Sequence, residues 1–379
     1  MPTTESDSQT STMSICYFGT YESQYPRNRI FINGLRELGQ QVQECHVPLW
    51  ELQEHKGAGF GFSVGFILRY ILAQIQLLFK FTLQPHADVI IVGYIGHLDM
   101  FLAWMLARLT RAKLVFNPLV SLYDTVVADR GFADSSSLKG RLFRWLDRIT
   151  CSLSDHVLLD TDAHIAFFRE ELNLKDVSFH RIWVGADDQV FQRSEPVSHD
   201  EFEVLFVGKF IPLHGLPKII RAAKYLEGHE EIKFRIIGDG QLKAEIQTLV
   251  EELKVHNISF VSHVPYQELE QSMRSADLIL GIFGDSEKSK RVIPNKLYQA
   301  LAAGKAVLSA DTPATRELLV DGKTAFLCEA DPDKMAERIL NIKGDQQLRQ
   351  AVARNGYDLY QRELMNTALS RTLLDVIRK

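Results

Sequence analysis

The sequence predicts an α/β protein: two Rossmann-like domains facing one another across a cleft, followed by a helical C-terminal tail. Three observations lead there. A chain of 379 residues is long for one core and suits two domains of ordinary size. Short apolar runs alternate with segments of helical period, and this alternation occurs twice, on either side of Gln192–Glu201, a stretch with no apolar cluster. From Met335 to Ile377 the pattern is almost wholly helical. The expected division is a disordered tail over 1–13, a first domain over 14–191, a linker over 192–201, a second domain over 202–350 and terminal helices over 351–379 that turn back toward the first domain.

In the first domain Ser14–Gly19 reads as a strand ending at a glycine. Arg27–Leu38 carries Ile30, Phe31, Leu35 and Leu38 at helical spacing, Gly39 closes it, and Val42–Val47 resumes as a strand: a β-α-β start. Val89–Val92, Leu114–Phe116 and His156–Leu159 are the next expected strands. Helices fall at Met100–Leu109, Arg141–Leu153 and Ala163–Leu172. In the second domain strands are expected at Val204–Val207, Phe234–Ile237, Ser259–Val261, Leu278–Ile282 and Ala306–Ser309, with helices at Leu216–Leu226, Leu242–Leu253 and Asn295–Ala303.

Composition excludes several classes. A net charge of −5 gives no cationic footprint for nucleic acid. Cys16, Cys45, Cys151 and Cys328 are scattered without ligand spacing, which reads as free thiols in a reducing compartment and not as a zinc site or a disulfide frame. The polar first dozen residues read as a disordered tail and not as a signal peptide. The most apolar stretch, Phe60–Phe81, is interrupted by Arg69, Gln74, Gln76 and Lys80 and reads as too polar to cross a bilayer.

The chain is organised around Asp277–Leu308. An apolar strand leads into a loop carrying Glu287, Lys288, Lys290 and Arg291. Pro294 then opens a short helix that stops at Gly304. A helix starting at the carboxyl end of a parallel strand aims free backbone N–H groups into the crevice above the sheet, and with cations beside it such an end suits a diphosphate. Taken alone, a charge run of this kind is usually a solvated loop, and the rest of the chain is what favours an anion site.

Several segments, in order, resemble glycosyltransferase family 4. They are VLFVGKFIPLHG (Val204–Gly215), IIGDGQLKAEI (Ile236–Ile246), ISFVSHVPYQEL (Ile258–Leu269), KLYQALAAGKAVLSADTPATRELLVDGKTAFL (Lys296–Leu327) and, before the linker, VGADDQVF (Val184–Phe191). The resemblance implies the GT-B fold, a nucleoside-diphosphate-sugar donor on the second domain, an acceptor on the first, and transfer with retention. It places Lys209, His214, Lys290, Arg291 and Lys296 toward the donor diphosphate, with Gly208, Gly238, Asp239 and Asn295 around them. It places the backbone of His263 and Val264 beside the base and Glu317 near the donor. Cations and a helix end in place of a divalent ion imply a metal-independent enzyme without a cofactor.

The sequence departs from the family where two glutamates, on sugar and ribose, are usual. The matching positions are Arg291 and Gln299, with Glu287 as a substitute for the first. The resemblance places Gly19 with the donor-binding residues, in the loop after the first strand that lies over the diphosphate and acceptor, and on the acceptor side it points to Arg27 and Asn28 of that loop. Asp124 and Ser121 (with Asn117) and His97 stand in for a histidine that many family members carry. The catalytic set is therefore Lys209, Lys296, Arg291 and Asp124. Asp160 and Asp162, in LDTDAH, read as helix-capping or sugar-contacting residues and not as metal ligands. The GDG at Gly238–Gly240 lacks the rest of a dinucleotide fingerprint.

The expectation is a cytoplasmic glycosyltransferase acting on a glycan or lipid-linked acceptor. Two rivals stay open: a sugar-nucleotide epimerase or phosphorylase on the same scaffold, and a non-catalytic subunit that binds nucleotide sugar. Phe60–Phe81 and Lys139–Ile149 mix apolar and basic residues, which fits either helices packed on the sheet or peripheral contact with a membrane.

Overall fold

The computed structural model describes residues 12–49, 64–132, 134–193, 200–262 and 264–379. Parts of the expected tail, of the linker and of Phe60–Phe81, together with His263, lie outside the described residues. In chain order the first domain holds β1 (Ser14–Gly19), α1 (Pro26–Glu37), β2 (Gln41–His46), α2 (Val64–Thr82), β3 (Val89–Val92), α3 (Met100–Thr110), β4 (Lys113–Phe116), α4 (Leu138–Leu153), β5 (His156–Leu159), α5 (Asp162–Glu170) and β6 (Phe179–Arg181). The second holds β7 (Phe202–Val207), α6 (Leu216–Tyr225), β8 (Ile232–Ile237), α7 (Lys243–Leu253), β9 (Ile258–Val261), α8 (Leu269–Ser275), β10 (Leu278–Leu280), α9 (Asn295–Ala302), β11 (Ala306–Ala310), α10 (Pro313–Leu318) and β12 (Phe326–Cys328). Helices α11 (Pro332–Gly344), α12 (Gln346–Leu359) and α13 (Asn366–Arg378) complete the chain.

Each domain is built on one parallel six-stranded sheet, in the orders β2-β1-β3-β4-β5-β6 and β12-β11-β10-β7-β8-β9. The order reverses direction between β1 and β3 in the first and between β7 and β10 in the second. At those two points the strand ends open a crevice toward ligands. Strands buried on both faces need apolar residues of both parities. Ile15, Tyr17, Val89, Ile91 and Val115 line one face of the first sheet, under α1 and α13. Cys16, Phe18, Ile90, Val92, Leu114 and Phe116 line the other, under α2, α3 and α4.

The first of these cores does not stop at the domain boundary. It runs through Trp183, Val184, Tyr298, Tyr360 and Leu364 into Leu205, Ile279 and Val307 of the second sheet. Helix α13 crosses back to lie on α1 so closely that a Cβ at Gly34 would sit 2.3 Å from the Asn366 carbonyl oxygen. The Tyr360 hydroxyl donates to the Ala186 carbonyl at 3.1 Å, and Asn366 donates to Asp188 at 2.7 Å.

Two differences from the sequence reading have physical causes. Strands β6 and β12 were not expected, because three residues at a sheet edge are too few to show a period. Helix α2 is, by length and composition, apolar enough to cross a membrane, which corrects the expectation for that stretch. Its Ala73 and Leu77 are packed into the core under the first sheet.

Candidate site at the carboxyl ends of the second sheet

The reversal point of the second sheet lies between the residues that follow β7 and β10, Gly208 and Gly281. Lys296, in the first turn of α9, stands there. Its Nζ donates to the Gly281 carbonyl at 3.3 Å, lies 3.6 Å over the Phe206 ring, and would be 3.1 Å from a Cβ placed on Gly208. Gly208 has φ of 152°, where a side chain would be strained and would also strike His214 Cε1 at 2.9 Å. Glycine is thus required for the backbone to pass between these two groups.

Lys296 is 4% exposed and burial alone drives its protonation well below the usual lysine range. No carboxylate contributes. His214 is driven well below the usual histidine range, first by burial and then by Lys296. Its Nδ1–H donates to the Lys209 carbonyl, while burial and Lys296 both disfavour a second proton on the ring. The Lys209 side chain is exposed just beyond β7.

Pro294 supplies no side-chain cap; the Leu297 N–H closes on the Pro294 carbonyl at 3.0 Å, which leaves the N–H groups of Asn295 and Lys296 at the open end of α9. The result is a buried amine, a glycine backbone and a positive helix end at one point, without a neutralising acid. A dianionic group fits that combination.

Other expected donor residues are arranged differently. Arg291 reaches into the first domain: its Nη2 meets Asp124 Oδ1 at 2.6 Å, and its guanidinium lies 4.2 Å over the Phe167 ring. Its carbonyl accepts from the Thr161 hydroxyl. Lys288 donates to Thr125 Oγ1 at 2.6 Å and Ser286 to Asp129 at 3.2 Å. Residues 286–291 therefore latch onto the π-helical turn Asp124–Asp129 of the opposite domain.

Glu317 caps α5 across the same boundary, accepting from the backbone N–H of Asp162 at 2.7 Å and of Ala163 at 2.8 Å. Its carboxylate is occupied by a helix end of the first domain and not by the crevice of the second. Glu287 and Lys290 pair with each other at 2.6 Å on the surface. Asp239 likewise pairs with Lys243 at 2.6 Å, while Gly238 lies so close to Gly208 that a Cβ would be 1.9 Å from its carbonyl oxygen. Gln299 is buried beside the Tyr266 phenol, and Asn295 donates across the cleft to Tyr25 at 3.5 Å. Val264 is half-buried against the core.

On the first domain, Gly19 ends β1 at the reversal point with φ of 128°, and a Cβ there would meet Asp99 Oδ2 at 2.6 Å. Asp99 holds the following residue, accepting from Thr20 N at 2.6 Å and Thr20 Oγ1 at 2.9 Å. Arg27 and Asn28 are fully buried. Arg27 donates to Asn117 and to the carbonyls of Ile182 and Trp183. Asn28 binds the Tyr17 hydroxyl and the backbone of Glu22 and Tyr94. Both are engaged in hydrogen bonds inside the first domain.

Asp147 gathers two more of the expected acceptor residues. It accepts from Ser121 Oγ at 2.6 Å and from two backbone N–H groups, with His97 Nε2 at 3.2 Å. Ser121 and His97 thus brace a buried carboxylate. Thr161, and neither Asp160 nor Asp162, is the N-cap of α5; Asp160 pairs with His164 at 2.7 Å and Asp162 with Arg181 at 2.9 Å.

Sequence reasoning missed Arg130, which follows the π-helical turn of the first domain. It lies close enough to His214 and Lys288 to disfavour their protonation, and its buried Nε makes no hydrogen bond among the described residues. No local spacing marks it. Among the described residues no cluster of three His, Cys, Asp or Glu has the arrangement of a metal site, and the four cysteines are free.

Residues 187–359 match the family described as glycosyl transferases group 1. An uncharacterised glycosyltransferase of Methanocaldococcus jannaschii is 27% identical over 153 residues, 40% of this chain and 41% of that protein. The phosphatidyl-myo-inositol mannosyltransferase of Mycolicibacterium smegmatis is 31% identical over 149 residues, 38% of this chain and 37% of that protein. These matches span about two-fifths of the relatives' length. Among solved structures, sucrose-phosphate synthase from Thermosynechococcus elongatus superposes with a TM-score of 0.72 at 14% identity, covering 97% of this chain and 95% of that one. HepE of Anabaena, solved with UDP and glucose, superposes with a TM-score of 0.65 at 14% identity, covering 97% and 100%. The chain has the GT-B glycosyltransferase fold, and its segment 187–359, which carries the Gly208–His214–Lys296 cluster, matches the family of glycosyl transferases group 1.

Proposed function

We propose that this protein is a retaining glycosyltransferase of family 4 type, which moves a sugar from a nucleoside diphosphate to a glycan or lipid-linked acceptor at the cytoplasmic side of the cell, without a metal ion. One observation carries the proposal: a buried lysine with no acid partner stands at the reversal point of the second sheet, between Gly208 and Gly281 and at the N-terminus of α9.

The chemistry follows from charge. As the sugar–phosphate bond breaks, the departing diphosphate gains negative charge, and fixed donors aimed at that charge lower the barrier. An arriving dianion favours the protonated form of Lys296, which burial disfavours in its absence. The free N–H groups of α9 and the backbone at Gly208 complete the cradle, and exposed Lys209 is near enough in sequence to close over it. Arg130 offers a further cation from the opposite domain. With Asp124 holding Arg291 across the cleft, the second domain would bind donor while the first presents the acceptor, and closure would keep water from the donor. The solved HepE complexes with UDP support a nucleotide ligand for this fold.

Calorimetric titration with UDP, GDP, ADP and TDP, without added metal, tests the reading. Saturable binding of one diphosphate, followed by turnover of its sugar ester only when an acceptor is supplied, is the expected result. Binding of none overturns it. The engagement of Arg291 with Asp124, where a sugar contact is usual in the family, favours a second reading as a non-catalytic subunit. Binding without transfer or hydrolysis would select that reading.

A further inference from the structure

Helix α2 is inverted relative to an ordinary surface helix: its outward side is the apolar one. Ala73 and Leu77 face the core, while Leu68, Leu72, Ile75 and Phe79 are 58–65% exposed. The apolar surface continues on the same face of the domain over α3 and α4, where Trp104 and Trp145 are exposed and Phe101 stacks on Trp145 at 6.3 Å. Patches of this extent mark an interaction site.

Charge identifies the partner. Together α2, α3 and α4 contain seven lysines and arginines and one acid, Asp147, which is buried, in a chain whose net charge is −5. A second copy docking through the same patch would set these cations against their own kind, which an isologous interface cannot relieve. An anionic surface complements them. Exposed tryptophans amid apolar and basic side chains are the composition of helices that lie at a lipid interface.

We propose that the α2–α3–α4 face docks this protein on an anionic lipid bilayer, with α2 lying in the plane of the surface. Hydrogen bonds keep α2 on the domain: Gln74 donates to Asp99 Oδ1 at 2.7 Å and Tyr70 at 3.4 Å. The other oxygen of Asp99 holds Thr20, so the docking helix is two hydrogen bonds from the loop at the first sheet's reversal point. This inference goes beyond the transfer reaction and stands without it.

Sedimentation of the full chain with phosphatidylcholine vesicles, alone or mixed with phosphatidylglycerol, tests it. Pelleting with the mixed vesicles and a blue shift of tryptophan emission are expected. Leu72→Glu with Ile75→Glu, both on the exposed side, should lower partitioning at least tenfold with unfolding unchanged. Arg141→Gln and Arg144→Gln should each lower it roughly fivefold, from about 1 kcal/mol per cation near such a surface. Equal partitioning of these variants and the native chain, or no pelleting with mixed vesicles, overturns the proposal. A concentration-dependent dimer dispersed by the glutamate pair would overturn it in favour of a second copy.

Discussion

Replacing Lys296 with methionine separates the needs of folding from those of binding. In the folded chain the amine makes one hydrogen bond among the described residues, to Gly281 at 3.3 Å, and rests on Phe206 at 3.6 Å. Losing that bond costs about 1 kcal/mol. Methionine fills a similar volume and removes a buried amine whose charged form burial disfavours, so the net change in stability should stay within about 1.5 kcal/mol. Diphosphate binding should respond differently. A hydrogen bond to a charged group is worth about 1.5–3 kcal/mol, and at about 1.4 kcal/mol per decade its loss weakens binding roughly ten- to hundredfold. Denaturant unfolding reads the first quantity and calorimetry with the preferred nucleoside diphosphate the second. A variant with native stability and native affinity would refute the assignment of Lys296 to the diphosphate.

Three further outcomes follow from the same geometry. Burial lowers the Lys296 protonation range and an arriving dianion raises it, so binding takes up protons and weakens as pH climbs through that lowered range. Titrations in buffers of different ionisation enthalpy should therefore differ, and identical heats would contradict the linkage. Glu317→Gln should lose about 1 kcal/mol of stability by weakening the cap on α5 while leaving nucleotide affinity unchanged; lost affinity at native stability would place Glu317 on the donor instead. Asp124→Asn leaves the Arg291 guanidinium largely buried without its partner and should cost about 3–5 kcal/mol, part of it recovered in the double variant with Arg291→Met. Strict additivity in that double-mutant cycle would show that the pair does not couple the domains.

Much of the architecture is a local property of the chain. Both parities of β1 and β3 are apolar because both sheet faces are covered, and such a continuous apolar run is visible within four to six residues. Pro294 and Gly304 bound the helix of Lys296 for equally local reasons, so the sequence by itself determined two doubly wound halves and a lysine at the second crevice. It also showed that α2 mixes apolar and basic residues, but not which side faces outward. The tertiary structure alone decided how the other charges are used. Arg291 and Asp124 are 167 positions apart, and Glu317 and Asp162 155 apart, and no spacing links a side chain to a partner reached only once two domains have docked. Ser121 and His97 are polar residues near strand ends by sequence, yet their position around buried Asp147 commits them to the interior. Periodicity records which side of an element is covered; the pairing of charges across a cleft depends on through-space distance and desolvation, which arise only when the chain is closed.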